Sequence, residues 1–287
     1  MVDLIYQLLT GFSTGMLYWL IAAGLTIAFG VLGIVNFAHG SLFMLGSYFA
    51  LVFYDTLEWN FALSIALAMI GVGVVGYIIE KFFLRIVYKQ DLEIQLILTF
   101  GLILIIAALV LLVWGSAVFF PSVPDSLSGT VSVLGRGFPI YSIFISVAGI
   151  AMYFIIRIIL GGTWWGRTMR AAASDREMAS AIGVNVRSLF STAFIFSAMI
   201  AAFGGAMSIP IKMALPGVGA EVIIPAFVVV AIGSLGSLGG AFLAAIIIGV
   251  ASSLATFYFP FLNELSVYFI MIIVLVLRPQ GLFGKSA

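Results

Sequence analysis

Apolar residues run through this chain in long blocks, separated by short polar or glycine-bearing joints. The blocks fall at 4–29, 40–54, 61–79, 96–120, 139–160, 189–209, 223–232, 241–259 and 265–277. A run of about 18–20 apolar residues is enough for a helix to cross a bilayer core of about 30 Å. An open sheet in hydrocarbon would leave its backbone unpaired, so the crossings are helical. The pattern predicts an all-α, polytopic transmembrane helical bundle of about eight to nine spans. Blocks 223–232 and 265–277 are short for a full crossing. No linker divides the chain, so residues 1–287 read as a single transmembrane domain. The first block is expected to stay as a span, because Asp3 and the lack of a basic start do not suit a cleaved leader.

Two joints break the apolar pattern inside the predicted membrane region. "GVLGIVNFAHGS", residues 30–41, places Asn36, Phe37, His39 and Ser41 among loosening glycines. It reads either as a tight turn between two spans near the surface or as a discontinuous helix beside a solute route. "GSLGSLGG", residues 233–240, supplies Gly233, Gly236, Gly239 and Gly240. It separates a short descending segment from a full ascending one and shares G-x-L-G with the first joint, a weak hint of internal repetition. These eight residues are the candidates for a translocation path.

Charge adds orientation. Lys81, Arg85, Lys89, Arg157, Arg167, Arg170, Arg176, Arg187, Arg278 and Lys285 fall on one predicted side, which the positive-inside rule makes cytoplasmic together with the C-terminus. Arg136 and Lys212 fall on the other, with Asp55, Glu58, Asp125, Glu221 and Glu264. Composition then removes several function classes. Hydrophobic residues make up 64% and the net charge is +1, leaving no basic field for nucleic acid. There is no cysteine, and no metal site is expected. No phosphate-binding G-x-x-x-x-G-K-[ST] occurs, and "GVGVVG" at 71–76 lies inside an apolar span, where glycine serves helix packing. The lone His39 has no orienting partner nearby in sequence, a poor basis for catalysis. No carboxylate reads as central to a span, which argues against a proton-coupled carrier.

One stretch is unlike the rest. "SDREMASAIG", residues 174–183, places three charges in a chain that is 8% charged. Ser174 and Glu177 fit the S-x-x-E capping box, with Asp175 and Glu177 at the positive end of the helix dipole. Met178, Ala181 and Ile182 form a small apolar face, and Gly183 suits the stop. Arg167, Arg170, Arg176 and Arg187 surround it. Such a helix either lies on anionic lipid or docks as a knob on another protein; the small apolar face favours docking.

"RAAASDREMASAIGVNV" (170–186) resembles the cytoplasmic loop of permease subunits of branched-chain amino-acid ABC importers. "GLTIAFGVLGIVNFAHGSLFMLGSYFA" (24–50), "AFVVVAIGSLGSLGGAFLAAIIIG" (226–249) and "LRPQGLFG" (277–284) are similar to the same family, in the same order. Glu177, Ala179 and Gly183 fit the E-x-A-x-x-x-G core of the importer coupling motif. The resemblance implies a permease in a bacterial inner membrane that is not itself an enzyme. Its coupling loop at about 161–188 would dock on ATP-binding-cassette subunits. Arg170, Ser174, Asp175, Arg176, Glu177, Met178, Ala179, Ile182 and Gly183 would form the contact. It further implies ATP and Mg on that partner, with no cofactor here, a second related permease, and a periplasmic binding protein that supplies selectivity. Solutes of the family include branched-chain and other hydrophobic amino acids, urea, short amides and organic acids. The competing reading is an ion-coupled secondary carrier working alone.

Overall fold

The computed structural model describes residues 2–88, 90–262, 265–278 and 280–283. Lys89, Glu264 and Lys285 of the charge reading lie outside the described residues. The chain forms α1 (Val2–Leu32), α2 (His39–Leu51), α3 (Phe61–Ile79), α4 (Arg85–Val87), α5 (Leu92–Trp114) and α6 (Ile140–Gly162). It continues through α7 (Trp164–Ser174), α8 (Arg176–Ala181), α9 (Val186–Lys212), α10 (Val218–Gly233), α11 (Leu238–Tyr258) and α12 (Ser266–Leu277). Among the described residues, six helices are long and apolar enough to cross a membrane: α1, the continuous Phe61–Val87 unit, α5, α6, α9 and α11. Helices α10 and α12 are shorter and apolar. The architecture is the all-α membrane bundle that the apolar blocks predict.

Helix α1 lies at the centre, buried along most of its length against α6, α9, α10 and α11. Lipid tails are as apolar as leucine, so close helix contact depends on small residues. Gly11 and Gly15, one turn apart, face α11: a Cβ on Gly15 would lie 2.6 Å from the Ala245 carbonyl oxygen. One on Gly11 would lie 2.5 Å from the Val250 Cα. Helix α9 is held in the same way against α2, where a Cβ on Gly46 would meet the Ala202 backbone.

The two ends of α1 define the axis. At one end Asp3 pairs with Arg136 of a hairpin, β1 (Thr130–Val133) paired with β2 (Arg136–Pro139). Its two-residue turn, Leu134 and Gly135, takes positive φ at both positions, as a type I′ turn requires. At the other end the Leu32 carbonyl accepts a hydrogen bond from Arg176, so α7 and α8 cap that end. The C-terminal segment lies at the same end, with the Leu282 amide donating to Ile232 of α10.

The first break is a discontinuous helix, and not a turn at the surface. Helix α1 stops at Gly33, with φ +68°, and the Asn36 side chain accepts from the Ala38 amide before α2 begins. His39 sits against Gly24, where a Cβ would come 2.6 Å from Nε2. Gly24 is eight residues from Leu32, so α2 starts about 12 Å inside the bundle at 1.5 Å per residue. The second break, between α10 and α11, is capped by Ser237, which accepts from the Gly240 amide at 3.2 Å. The shared G-x-L-G has a common conformation: Gly236, like Gly33, takes positive φ, +83°. The breaks abut, since a Cβ on Gly30 would lie 3.1 Å from the Gly236 Cα.

Candidate coupling surface and path

Helix α7 begins at the Thr163 cap, which accepts from the Gly166 amide at 3.0 Å, and the Arg170 guanidinium donates to the Leu160 carbonyl. Ser174, expected as the N-cap of the next helix, is instead the last residue of α7. The cap is Asp175, whose carboxylate accepts from the Met178 amide at 2.9 Å. Both residue types cap well. Asp175 takes the role because its own amide already closes the last turn of α7 on Ala171, at 3.0 Å.

Helix α8 is six residues long and ends on Gly183, with φ +90°. The Val184 amide returns to the Ala179 carbonyl at 3.0 Å, completing the left-handed stop. Its two sides differ. Ala179 is buried against the bundle, whereas Met178 and Ile182 are 61% and 72% exposed, with Glu177 and Ala181 beside them. The apolar side of this short helix therefore faces away from the chain. Arg176, grouped above with the docking contacts, points its guanidinium inward. Its Nη2 donates to the Leu32 carbonyl at 2.5 Å, and the group lies 4.8 Å from the centre of the Phe190 ring.

The other face of Phe190's neighbourhood contains a polar cluster that sequence reasoning missed. Glu80, next to Lys81 in the chain, is fully buried. It accepts from Ser191 Oγ at 2.7 Å, from the Tyr88 hydroxyl at 2.8 Å, and from Arg85 at 3.0 and 3.3 Å. Residues 80 and 85 lie five apart, one turn of a π-helix, and Glu80–Leu84 is π-helical. A pattern search at i+3 and i+4 cannot find that pair. Burial, and then the neighbouring Glu80 carboxylate, push the Tyr88 phenol well above its ordinary value. Tyr88 also packs edge-on to Phe190 at 5.7 Å, so Arg176, Phe190, Tyr88 and Glu80 touch in sequence. A groove of about 1040 Å³ opens here, lined by Arg85, Tyr88, Arg176, Glu177, Arg187 and Phe190 among others.

The candidate path residues divide. Asn36, His39 and Ser41 are buried, and Asn36 Nδ2 and both His39 nitrogens have no hydrogen-bond partner among the described residues. Phe37 is half-buried and stacks on Phe227 at 4.9 Å. It lines an apolar cavity of about 540 Å³ with Ile97, Phe100, Ile223 and Ile224 among others. Gly233 and Gly240 are buried against each other, Gly236 is exposed on Gly30, and the nearest atom to a Cβ on Gly239 would be the Tyr153 hydroxyl. Glu221 lies in the first turn of α10.

A polytopic bundle with two abutting broken helices and an outward-facing capped helix at one end defines a membrane permease. The chain belongs to the family described as branched-chain amino acid transport system / permease component, whose model matches residues 7–277. It is 28% identical over 294 residues to the high-affinity branched-chain amino acid transport system permease protein BraD of Pseudomonas aeruginosa, covering 97% of this chain and 95% of the relative. Similarity to LivH of Escherichia coli K12, named in the same terms, is 28% over 302 residues, with the same coverage. A probable LivH of Methanocaldococcus jannaschii is 24% identical over 281 residues, covering 92% and 88%. Among solved structures, PsaBC from Streptococcus pneumoniae in complex with Fab matches with a TM-score of 0.50 and 12% identity, covering 96% of this chain and 92% of that one. That likeness is one of fold.

Proposed function

We propose that this chain is the membrane-spanning subunit of an ATP-driven importer in a bacterial inner membrane, and that it moves a branched-chain or other hydrophobic amino acid inward. The named relatives are permeases of branched-chain amino-acid transport systems, which supports that solute class. The observation that carries the coupling role is α8, too short to hold itself in water, yet doubly capped and presenting Met178 and Ile182 outward. An ATP-binding-cassette subunit with bound Mg and ATP covers that side, a second related permease completes the path, and a periplasmic protein delivers solute. This chain performs no hydrolysis itself, and its α8 end, with the C-terminal segment, faces the cytoplasm.

Force enters at α8 and leaves by two contacts. Arg176 ties α8 to the last carbonyl of α1, next to Gly33, so movement of α8 pulls on the segment that leads to Asn36 and His39. Through Phe190 the same guanidinium bears on Tyr88 and Glu80, and thus on the end of α3. Both breaks lie along this line. The test is uptake in proteoliposomes: the chain alone transports nothing under any ion gradient, and adding the ATPase, the second permease, binding protein and ATP produces uptake. Uptake by the chain alone under a proton or sodium gradient overturns the reading in favour of a secondary carrier.

A further inference from the structure

Arg157 is a charge on the outer face of a spanning helix. Helix α6 starts at Ile140, directly after the hairpin, and its 23 residues extend about 35 Å, enough for a bilayer core of about 30 Å. Arg157 lies about 26 Å along it, five residues short of its end at Gly162. Phe154 and Ile158 beside it are 53% and 66% exposed, so this face of α6 is turned away from the bundle. Past the end of α6, Trp164 opens α7 fully exposed, with the Arg167 guanidinium 5.9 Å from the centre of its ring. Tryptophan and arginine side by side at the end of a span mark the membrane surface.

Arg157 lines a cavity of about 280 Å³ with Arg170 of α7; Thr26 and Gly30 of α1, Met169 and Gly236 are among its other walls. The cavity therefore reaches the junction where the two breaks abut. No Asp or Glu lines it, and among the described residues neither arginine has a carboxylate within ion-pair distance. Each guanidinium spends one donor on a neutral oxygen: Arg157 on the Tyr153 hydroxyl at 3.3 Å, Arg170 on the Leu160 carbonyl. A guanidinium carries five N–H donors, so most are left over. The Thr26 hydroxyl is already used on the Ala22 carbonyl, and the rest of the wall is mostly apolar. An amino-acid zwitterion would find no acid here for its ammonium. Two unneutralised guanidinium groups at a membrane surface suit a phosphodiester, which accepts their planar forks bidentately. The volume is just below the range of about 300–1,000 Å³ usual for small-ligand pockets, room for a headgroup and not for a whole lipid. Exposed Phe154 and Ile158 offer the acyl chains a surface outside it.

We infer that the α6–α7 elbow holds the phosphate of an anionic phospholipid between Arg157 and Arg170, against the junction of the two broken helices. This needs the chain to span a bilayer, and it needs neither the solute nor the ATPase of the importer reading. The test is native mass spectrometry of the purified full chain, mixed in detergent with equal amounts of phosphatidylglycerol and phosphatidylcholine. The parent retains phosphatidylglycerol at least about tenfold better, and Arg157→Gln and Arg170→Gln, made separately, each cut that preference about fivefold. Either variant suffices if the other does not fold. Arg187→Gln, exposed and outside the cavity, keeps the preference. Equal retention of the two lipids by the parent overturns the site. So does a loss in Arg187→Gln as large as in the other two, which would make the preference one of diffuse charge. Displacement of the lipid by inorganic phosphate would assign a free anion and overturn the lipid. Because no partner or solute enters the test, its failure leaves the importer reading standing, and a failed uptake assay leaves the lipid site standing.

Discussion

Replacing Glu80 with alanine removes an acceptor for four hydrogen bonds at a site with no access to solvent. Three groups lose their partner: the Arg85 guanidinium, the Tyr88 hydroxyl and part of the Ser191 hydroxyl's contacts. Hydrogen bonds to a charged group are each worth about 1.5–3 kcal/mol, but bonds within one network do not add. Breaking a buried pair by removing one partner costs about 3–5 kcal/mol. The Arg85 side chain is 28% exposed and recovers some hydration, which places the loss at the lower end, about 3 kcal/mol. For a chain of this size that corresponds to a fall in Tm of roughly 6 °C. Glu80→Gln keeps an oxygen for Tyr88 and Ser191 and loses only the counter-charge, so it falls between parent and alanine. The assay is thermal unfolding in detergent, followed by tryptophan fluorescence. An alanine variant melting within about 1 °C of the parent refutes the reasoning, because it means that the cluster contributes nothing net.

Three further outcomes follow from the same contacts. Arg176→Ala slows ATP-driven uptake at least tenfold, about 1.4 kcal/mol, while the ATPase still co-purifies; equal loss of binding and uptake would make Arg176 a docking residue instead. Glu177→Lys abolishes co-purification of the ATPase and leaves membrane insertion intact, and normal uptake by this variant would count against docking. Gly249→Val forces a side chain into the backbone of Gly11 and Gly15, so α1 and α11 must separate. It should destabilise by about 1–3 kcal/mol in the same melting assay, and an unchanged melt contradicts the close packing.

The bundle was legible because bilayer solvation imposes one rule on every span, and the apolar blocks obey it from α1 to α12. The breaks were legible as glycine and polar interruptions; their depth was not. Whether His39 starts a helix at the surface or about 12 Å inside depends on its seat over Gly24, a contact between residues 15 apart that no local pattern encodes. The α8 cap was misplaced by one residue because Ser174 and Asp175 are equally good caps, and only the end of α7 decides between them. Glu80 was missed because its partner is set by a π-helical turn, and by Ser191 more than a hundred positions away.

The central claim is that the exposed side of α8 receives force from a nucleotide-hydrolysing partner. It is tested most directly with a single cysteine at position 182, in a chain that otherwise has none, carrying a short photoreactive group. The account predicts one dominant adduct with the ATPase subunit, whose yield changes when ATP is added. Adducts with lipid alone, or the same yield whether or not the ATPase is present, would contradict it.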